Sequence, residues 1–207
     1  MARKPLIYTH EHPYHIRARS NNREWFYISK PLCWHIFVES LKEAQEKYHF
    51  SIYAFVLMDN HYHLIGQCHE KHNLGEVMAY LQKTVSRKIN SSAGRQNHIF
   101  GGPYKASLIR HPEHFAAIYK YVLRNPIKSR LTKDVRNYRF STLNSSALNL
   151  ILPNEWFANI PSDKTEMMIW LNEDFKEDSY ELIKNNLSKT IFDPVDRISR
   201  KAVLQMT

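Results

Sequence analysis

Residues 51–68, SIYAFVLMDNHYHLIGQC, hold two strand-length apolar runs separated by only two residues. The first, SIYAFVLM, is rich in the β-branched and aromatic side chains that favour a pleated, half-buried backbone. Asp59 and Asn60 follow, and both tolerate the positive φ of a two-residue hairpin turn. HYHLIGQC (61–68) is then the returning strand. A tight hairpin fixes its strands as antiparallel neighbours, and the flanks show what surrounds them.

Those flanks alternate. YHIRARS (14–20) has strand periodicity. PLCWHIFVESLKEAQEKYH (31–49) reads as a helix, with Pro31 near its first position and Ile36, Phe37, Leu41 and Ala44 at helical spacing. NLGEVMAYLQKTVSRKINSSAG (73–94) has Asn73 as N-cap, Glu76 three residues later and Gly94 as a stop. YKASLI (104–109) is a short strand. HPEHFAAIYKYVLRNP (111–126) is a helix begun by Pro112 and closed before Pro126. The order βαββαβ plus a closing helix predicts an α+β, ferredoxin-like or RRM-like core with an antiparallel sheet. From about residue 141 the chain turns linker-like, STLNSSALNLILPN, and then helical around EMMIWLNEDF and SYELIKNNL. We therefore divide it into 1–145 and a small helical extension, 146–207. Trp156, Phe157, Met167, Trp170, Leu171 and Phe175 predict that this extension packs as a cap on the core.

Charge divides at nearly the same place. Residues 1–140 hold 22 Lys and Arg against 10 Asp and Glu, whereas 141–207 hold 7 against 10. A basic body with an acidic tail predicts a polyanionic partner for the body alone, the alternative being a basic but idle surface. No apolar run approaches a membrane span, and MARKPLIYTHEH lacks a signal-peptide core. Cys33 and Cys68 have no C-x-x-C partner, so reduced thiols in a cytoplasm are expected.

The returning strand carries His61 and His63, which share a face because i and i+2 do so on a strand. The bare pattern is weak: with 12 histidines, chance alone gives about 0.7 such pairs, and His10 and His12 form a second one. Two imidazoles so placed either bind one divalent cation, with oxygen ligands completing the shell, or simply face solvent. On the closing helix Phe115, Ile118, Tyr119 and Val122 form the buried stripe. Tyr121 lies about 110° off that stripe, so packing alone does not explain it. Asn125 is one turn further on the same side. A phenol is a poor nucleophile at its free pKa, and a divalent metal or nearby base could assist its attack on a phosphodiester. The other reading of Tyr121 is an ordinary surface aromatic.

Cations gather near this constellation. Lys105, Arg110, Lys120, Arg124, Lys128, Arg130, Lys133, Arg136 and Arg139 fall within 35 residues, opposed only by Glu113 and Asp134. Tyr104, Tyr138 and Phe140 are interleaved among them, which suits a strand offering phosphates and bases. Arg17 and Arg19 on the first strand, Arg23 in a polar loop, and Lys83, Arg87 and Lys88 on the second helix extend the same candidate nucleic-acid surface.

Taken together, four separated stretches resemble one family. MDNHYHLIG resembles the His-hydrophobic-His motif of the single-tyrosine transposases of the IS200-like superfamily, and YVLRNPIKSRL the tyrosine helix of their REP-associated branch. YHIRARSNNREWF and NYRFSTLNSS fall where that branch has its opening strand and a Tyr-Arg-x-Ser segment. The resemblance spans roughly residues 12–145. It implies a catalytic unit over 1–145 that cleaves and transfers single-stranded DNA at palindromic hairpins through a 5′-phosphotyrosine. It further implies Tyr121 as nucleophile, His61, His63 and Asn125 as ligands of Mg²⁺ or Mn²⁺, basic tracts on DNA, and a cytoplasmic, nucleoid-associated protein. Asp59 departs from the family's usual proline and could add a negative charge near the metal, and Tyr62 fills the bulky hydrophobic slot. Monomer and helix-exchanged dimer both stay open. The rival readings are a domesticated, non-cleaving hairpin binder and an RRM-like RNA-binding protein, the latter weakened because YHIRARS lacks an aromatic stacking pattern.

Overall fold

A computed structural model describes residues 5–151, 154–176 and 179–194. The elements run β1 (Tyr14–Arg19), α1 (Lys30–Tyr48), β2 (Ser51–Leu57), β3 (His61–Gln67), α2 (Leu74–Ala93), β4 (Lys105–Leu108) and α3 (Pro112–Lys128). The C-terminal extension adds α4 (Lys164–Asn172) and α5 (Ser179–Asn186). The four strands form one sheet in the order β2-β3-β1-β4, with every neighbouring pair antiparallel. This is the ferredoxin-like α+β plan that the element order predicts.

Local chemistry explains most boundaries. At the start of α2, Asn73 Oδ1 accepts the Glu76 N–H at 3.1 Å and the Glu76 carboxylate accepts the Asn73 N–H at 3.3 Å. Gly94, at φ 61, ends that helix in the left-handed region where a glycine carries no Cβ penalty. The hairpin also forms, closed by the Met58 N–H donating to the His61 carbonyl at 2.8 Å. Neither Asp59 nor Asn60 takes a positive φ, however. The turn is held from outside instead. Lys30 pairs with Asp59, the Ser20 N–H donates to the Asn60 carbonyl, and Asn60 Nδ2 donates to the Arg23 carbonyl.

The end of α3 differs from expectation, for it runs through Pro126 to Lys128. Pro126 removes the N–H that would have met the Val122 carbonyl, yet the helix continues past it. Asn125 Nδ2 donates to the Tyr121 carbonyl at 2.8 Å, and the N–H groups of Ser129 and Leu131 reach the carbonyls of Asn125 and Pro126.

Two hydrophobic cores sandwich the sheet. Tyr14, Ile16, Phe55, Leu57, Tyr62 and Leu64 pack towards α1 and α2. A register shift between Ile52 and Ala54 places Tyr53 and Ala54 together on the opposite face, with Val56 and Ile65 and the helix α3. The glycine at 66 is sterically required, since a Cβ there would lie 2.3 Å from the Phe50 ring and 2.9 Å from the Ser51 carbonyl.

The segment from 141 is not a linker. The Leu57 N–H donates to the Phe140 carbonyl, Thr142 Oγ1 accepts the Phe55 N–H at 2.9 Å, and the Ile151 N–H donates to the Ile52 carbonyl. On the far edge of the sheet, the Leu108 N–H donates to the Thr190 carbonyl and the Phe192 N–H to the Leu108 carbonyl. Trp156, Leu171, Ile183, Leu187 and Phe192 share the core of α3, as the apolar content of the extension predicts. The remainder of that extension, 195–207, lies outside the described residues. Among the described residues no helix is long and apolar enough to cross a membrane.

Candidate active site

The α3 side of the sheet carries the polar cluster. Register places Arg19 opposite His61 and Arg17 opposite His63, and His15 follows Arg17 on the same face by strand alternation. His15 is fully buried and its Nε2 lies 2.8 Å from His63 Nδ1, with the two rings stacked at 5.1 Å. The sequence reading did not single out His15. Its alternation with Arg17 and Arg19 was the available signal.

Hydrogen bonds fix which imidazole nitrogens remain for a ligand. Asn60 Nδ2 donates to the Arg23 carbonyl, so its Oδ1 is the atom 2.9 Å from His61 Nδ1. A carboxamide oxygen only accepts, so His61 carries its proton on Nδ1 and leaves an Nε2 lone pair. When His63 Nδ1 donates to His15, its Nε2 is free in the same way. Burial lowers all three ring pKa values, His61 to about 4, His15 to about 3 and His63 well below the usual range, with Arg17 adding to each shift. The rings are thus neutral near pH 7, which is the ligand form.

α3 brings Tyr121 over this cluster, its ring 6.2 Å from that of His15 and 5.8 Å from that of His63, both edge-on. Asn125 lies one turn on. Because its nitrogen is committed to the Tyr121 carbonyl, its oxygen is left as the possible ligand atom. His61, His63, Tyr121 and Asn125 line one cavity of about 600 Å³. The structure therefore brings together all four residues that the sequence singled out, within one chain. Arg17, Arg19, Arg23, Lys105 and Lys184 supply the charged lining, and no Asp or Glu among the described residues joins them. Such a cavity attracts an anion. Asp59, beside the histidines in sequence, is paired with Lys30 and does not line it.

Tyr121 is only 3% exposed, and burial is the chief cause of its raised pKa. A hydrogen bond to Tyr180, with Arg17 and Lys184, pulls the other way. Tyr180 and Lys184 come from α5, and nothing in the sequence pattern pointed to them.

The other proposed DNA contacts scatter. Arg87, Arg110, Lys128, Arg130, Arg136 and Arg139 are exposed, although Arg136 is paired with Asp134. Lys83 lines a second, more open groove with Gln82, Asn90 and Asn97. Lys88 is held by Glu39 and Glu43. Lys120 and Arg124 are misplaced by the sequence reading: both are buried beneath the extension. Lys120 faces the rings of Trp170 and Phe175, while Arg124 donates to the Leu171 carbonyl and pairs with Asp174. The apolar stripe of α3 marks its sheet side only, so the cover on its other side was not legible.

A ferredoxin-like sheet with paired histidines facing a helix-borne tyrosine in a cationic cavity is the arrangement of the single-tyrosine transposases. The model of the IS200-like transposase family matches residues 8–125, and the chain belongs to that family. All four central residues fall within the matched stretch. A curated protein of Haemophilus influenzae, provisionally assigned as a REP-associated tyrosine transposase, is 25% identical over 133 residues, 59% of this chain and 76% of its own length. Among solved structures, a REP-associated tyrosine transposase bound to a REP hairpin superposes with a TM-score of 0.57 at 16% identity. That match covers 74% of this chain and 100% of the other, and it is a likeness of fold.

Proposed function

We propose that this chain is a metal-dependent single-stranded DNA endonuclease and strand transferase acting at hairpin, REP-like DNA, with Tyr121 as its nucleophile. The observation that carries this reading is the convergence of Tyr121, His61, His63 and Asn125 on one cavity whose charged lining is wholly cationic. Family membership and the relative assigned to REP elements support the same substrate.

The donor set fits a hard divalent ion only in part. Among the described residues no group of three or more His, Cys, Asp or Glu side chains is arranged to hold a metal ion. His61 Nε2, His63 Nε2 and Asn125 Oδ1 are the three neutral ligands on offer, so water and phosphate oxygens would complete the shell. That suits Mg²⁺ or Mn²⁺, which keep several such ligands. When bound, the ion supplies Lewis-acid polarisation of a phosphate oxygen.

The chain's own groups do the rest. Arg17, Arg19, Arg23 and Lys105 draw the phosphodiester in. The Tyr121 oxygen attacks phosphorus, and its O–P bond forms as the bond to the 3′ oxygen breaks. Tyr121 gives up its proton, and the departing strand takes one up to end as a 3′ hydroxyl. The 5′ phosphate then remains on Tyr121, ready for a second hydroxyl to displace it. Residues 1–145 provide the nucleophile and ligands, and α5 of the 146–207 extension closes the cavity. A cytoplasmic, nucleoid-associated setting follows from this substrate.

With Mg²⁺ and hairpin-bearing oligonucleotides, the protein should form an adduct stable to denaturant, and Tyr121→Phe should form none. An equal yield from Tyr121→Phe would falsify the nucleophile assignment. One observation favours the second reading, a non-cleaving hairpin binder: Tyr121 is buried with a raised pKa. Tight hairpin binding without nicking in any divalent metal would establish that reading. Family membership supports a DNA substrate over the RNA-binding alternative.

A further inference from the structure

The cavity has a wall that the 8–125 family match does not reach. The ring of Tyr180 on α5 lies 5.1 Å from that of Tyr121, inclined at 35°, and its hydroxyl favours the ionised form of Tyr121 against the effect of burial. Tyr180 is itself held by two neighbours. Phe175 packs tilted against it at 6.1 Å and 59°, and Lys128 Nζ sits 4.5 Å from its ring centroid. Lys184 lies one turn along the same helix. Tyr180 and Lys184 both line the cavity.

A tyrosine's hydroxyl oxygen lies on the axis of its Cβ–Cγ bond, so turning the ring leaves that oxygen in place, whereas a swing about Cα–Cβ carries it away unless neighbours stop the side chain. Edges of His15 and His63 confine Tyr121 on one side. Among the described residues, Tyr180 is the one that meets it from the extension side with both a packed ring and a hydroxyl. We propose that Tyr180 is a positioning residue for the Tyr121 nucleophile, an inference that rests on the function proposed above. Its ring packs against that of Tyr121 and limits the swing that would carry the oxygen away. Its hydroxyl holds the Tyr121 oxygen in line for attack, and again when that oxygen must leave phosphorus in strand transfer. The extension is thus part of the reactive site, which its acidic, packing-type composition did not suggest.

The test uses the full chain. Tyr180→Phe keeps the stack and removes the hydroxyl, while Tyr180→Ala removes both. Losing one aligned hydrogen bond should slow adduct formation roughly tenfold in Tyr180→Phe, and more in Tyr180→Ala. Hairpin affinity should stay within about twofold in both, because neither changes a charge. A second readout needs no cleavage: with ¹³Cζ-tyrosine labelling, the Tyr121 resonance, identified by its loss in Tyr121→Phe, should shift in Tyr180→Phe. Wild-type adduct rates in Tyr180→Phe, or an unmoved Tyr121 resonance, would overturn the proposal. If wild type itself makes no adduct, the function reading has failed, and the resonance alone then decides whether Tyr180 holds Tyr121.

Discussion

His15 shows how much one residue can settle. It touches neither DNA nor metal in the proposed chemistry, yet its Nε2 meets the nitrogen of His63 that must carry a proton if the other is to be a ligand. Partners of this kind typically set metal affinity within a factor of 10–100. His15→Phe should weaken Mn²⁺ binding by roughly tenfold, read by titration calorimetry on the full chain, while His15→Gln, which keeps an acceptor, should lose less. Unchanged affinity in His15→Phe would show that His63 is oriented by something else. The sequence displayed the pair His61 and His63 but gave it no rank above His10 and His12. What distinguishes them is register, since strand pairing puts Arg17 beside His63 and brings His15 behind it. Register is a tertiary fact, and no single strand encodes it. Asp59 is the converse case. Its charge beside a metal site looked consequential in sequence; Lys30 pairs with it, and its carboxylate still opposes the lowering of the His61 pKa without lining the cavity.

Elements were legible where their own residues close them. Asn73, Glu76 and Gly94 bound α2 by local hydrogen bonding and backbone freedom, and all three act as their chemistry predicts. The end of α3 was not legible, because the helix runs through Pro126 to Lys128 where proline chemistry argues for a stop, with the Ser129 N–H still reaching the Asn125 carbonyl. Lys88 illustrates the same limit: counted as a DNA contact, it instead ties α2 to α1 through Glu43, at 2.8 Å, where Tyr80 also donates at 3.0 Å. Lys88 and Tyr80 hold the Glu43 carboxyl below its ordinary pKa. A depressed carboxylate pKa adds stability above the unfolded value, near 4.3, and that stability is lost as pH falls through the folded value. Glu43→Gln should therefore cost up to about 1 kcal/mol at pH 7 and nothing once acid has protonated the wild-type group, as measured by urea unfolding. The β2–β3 hairpin has its own weak point at Gly66. Gly66→Ala should cost about 1–3 kcal/mol by overpacking against Phe50, read in the same unfolding experiment. A neutral result would mean that the Phe50 ring moves aside without loss.

Across the whole molecule, charge and position separate. The basic body was visible in the sequence, but which cations face a ligand depended on what the extension covers. Arg17 and Arg19 reach the cavity, whereas Arg124, equally basic in the chain, lies under α4 and its following loop. Each phosphate-contacting cation removed should lower the salt slope of DNA binding by about one. Arg17→Ala should do so. Arg124→Ala should leave the slope unchanged and instead speed proteolysis within the extension. A reduced slope in Arg124→Ala would place that residue on the DNA after all.

Both margins of the sheet are occupied by the chain's own later segments, 140–151 along β2 and 190–192 along β4. Unpaired margins are what allow one molecule to template another into fibres or exchanged strands. Here those segments shorten the unpaired stretch on both sides, at Ile52, Val56 and Leu57 of β2 and at Leu108 of β4. Concentrated solutions should resist strand-driven aggregation better while those two short segments stay seated than after they are displaced.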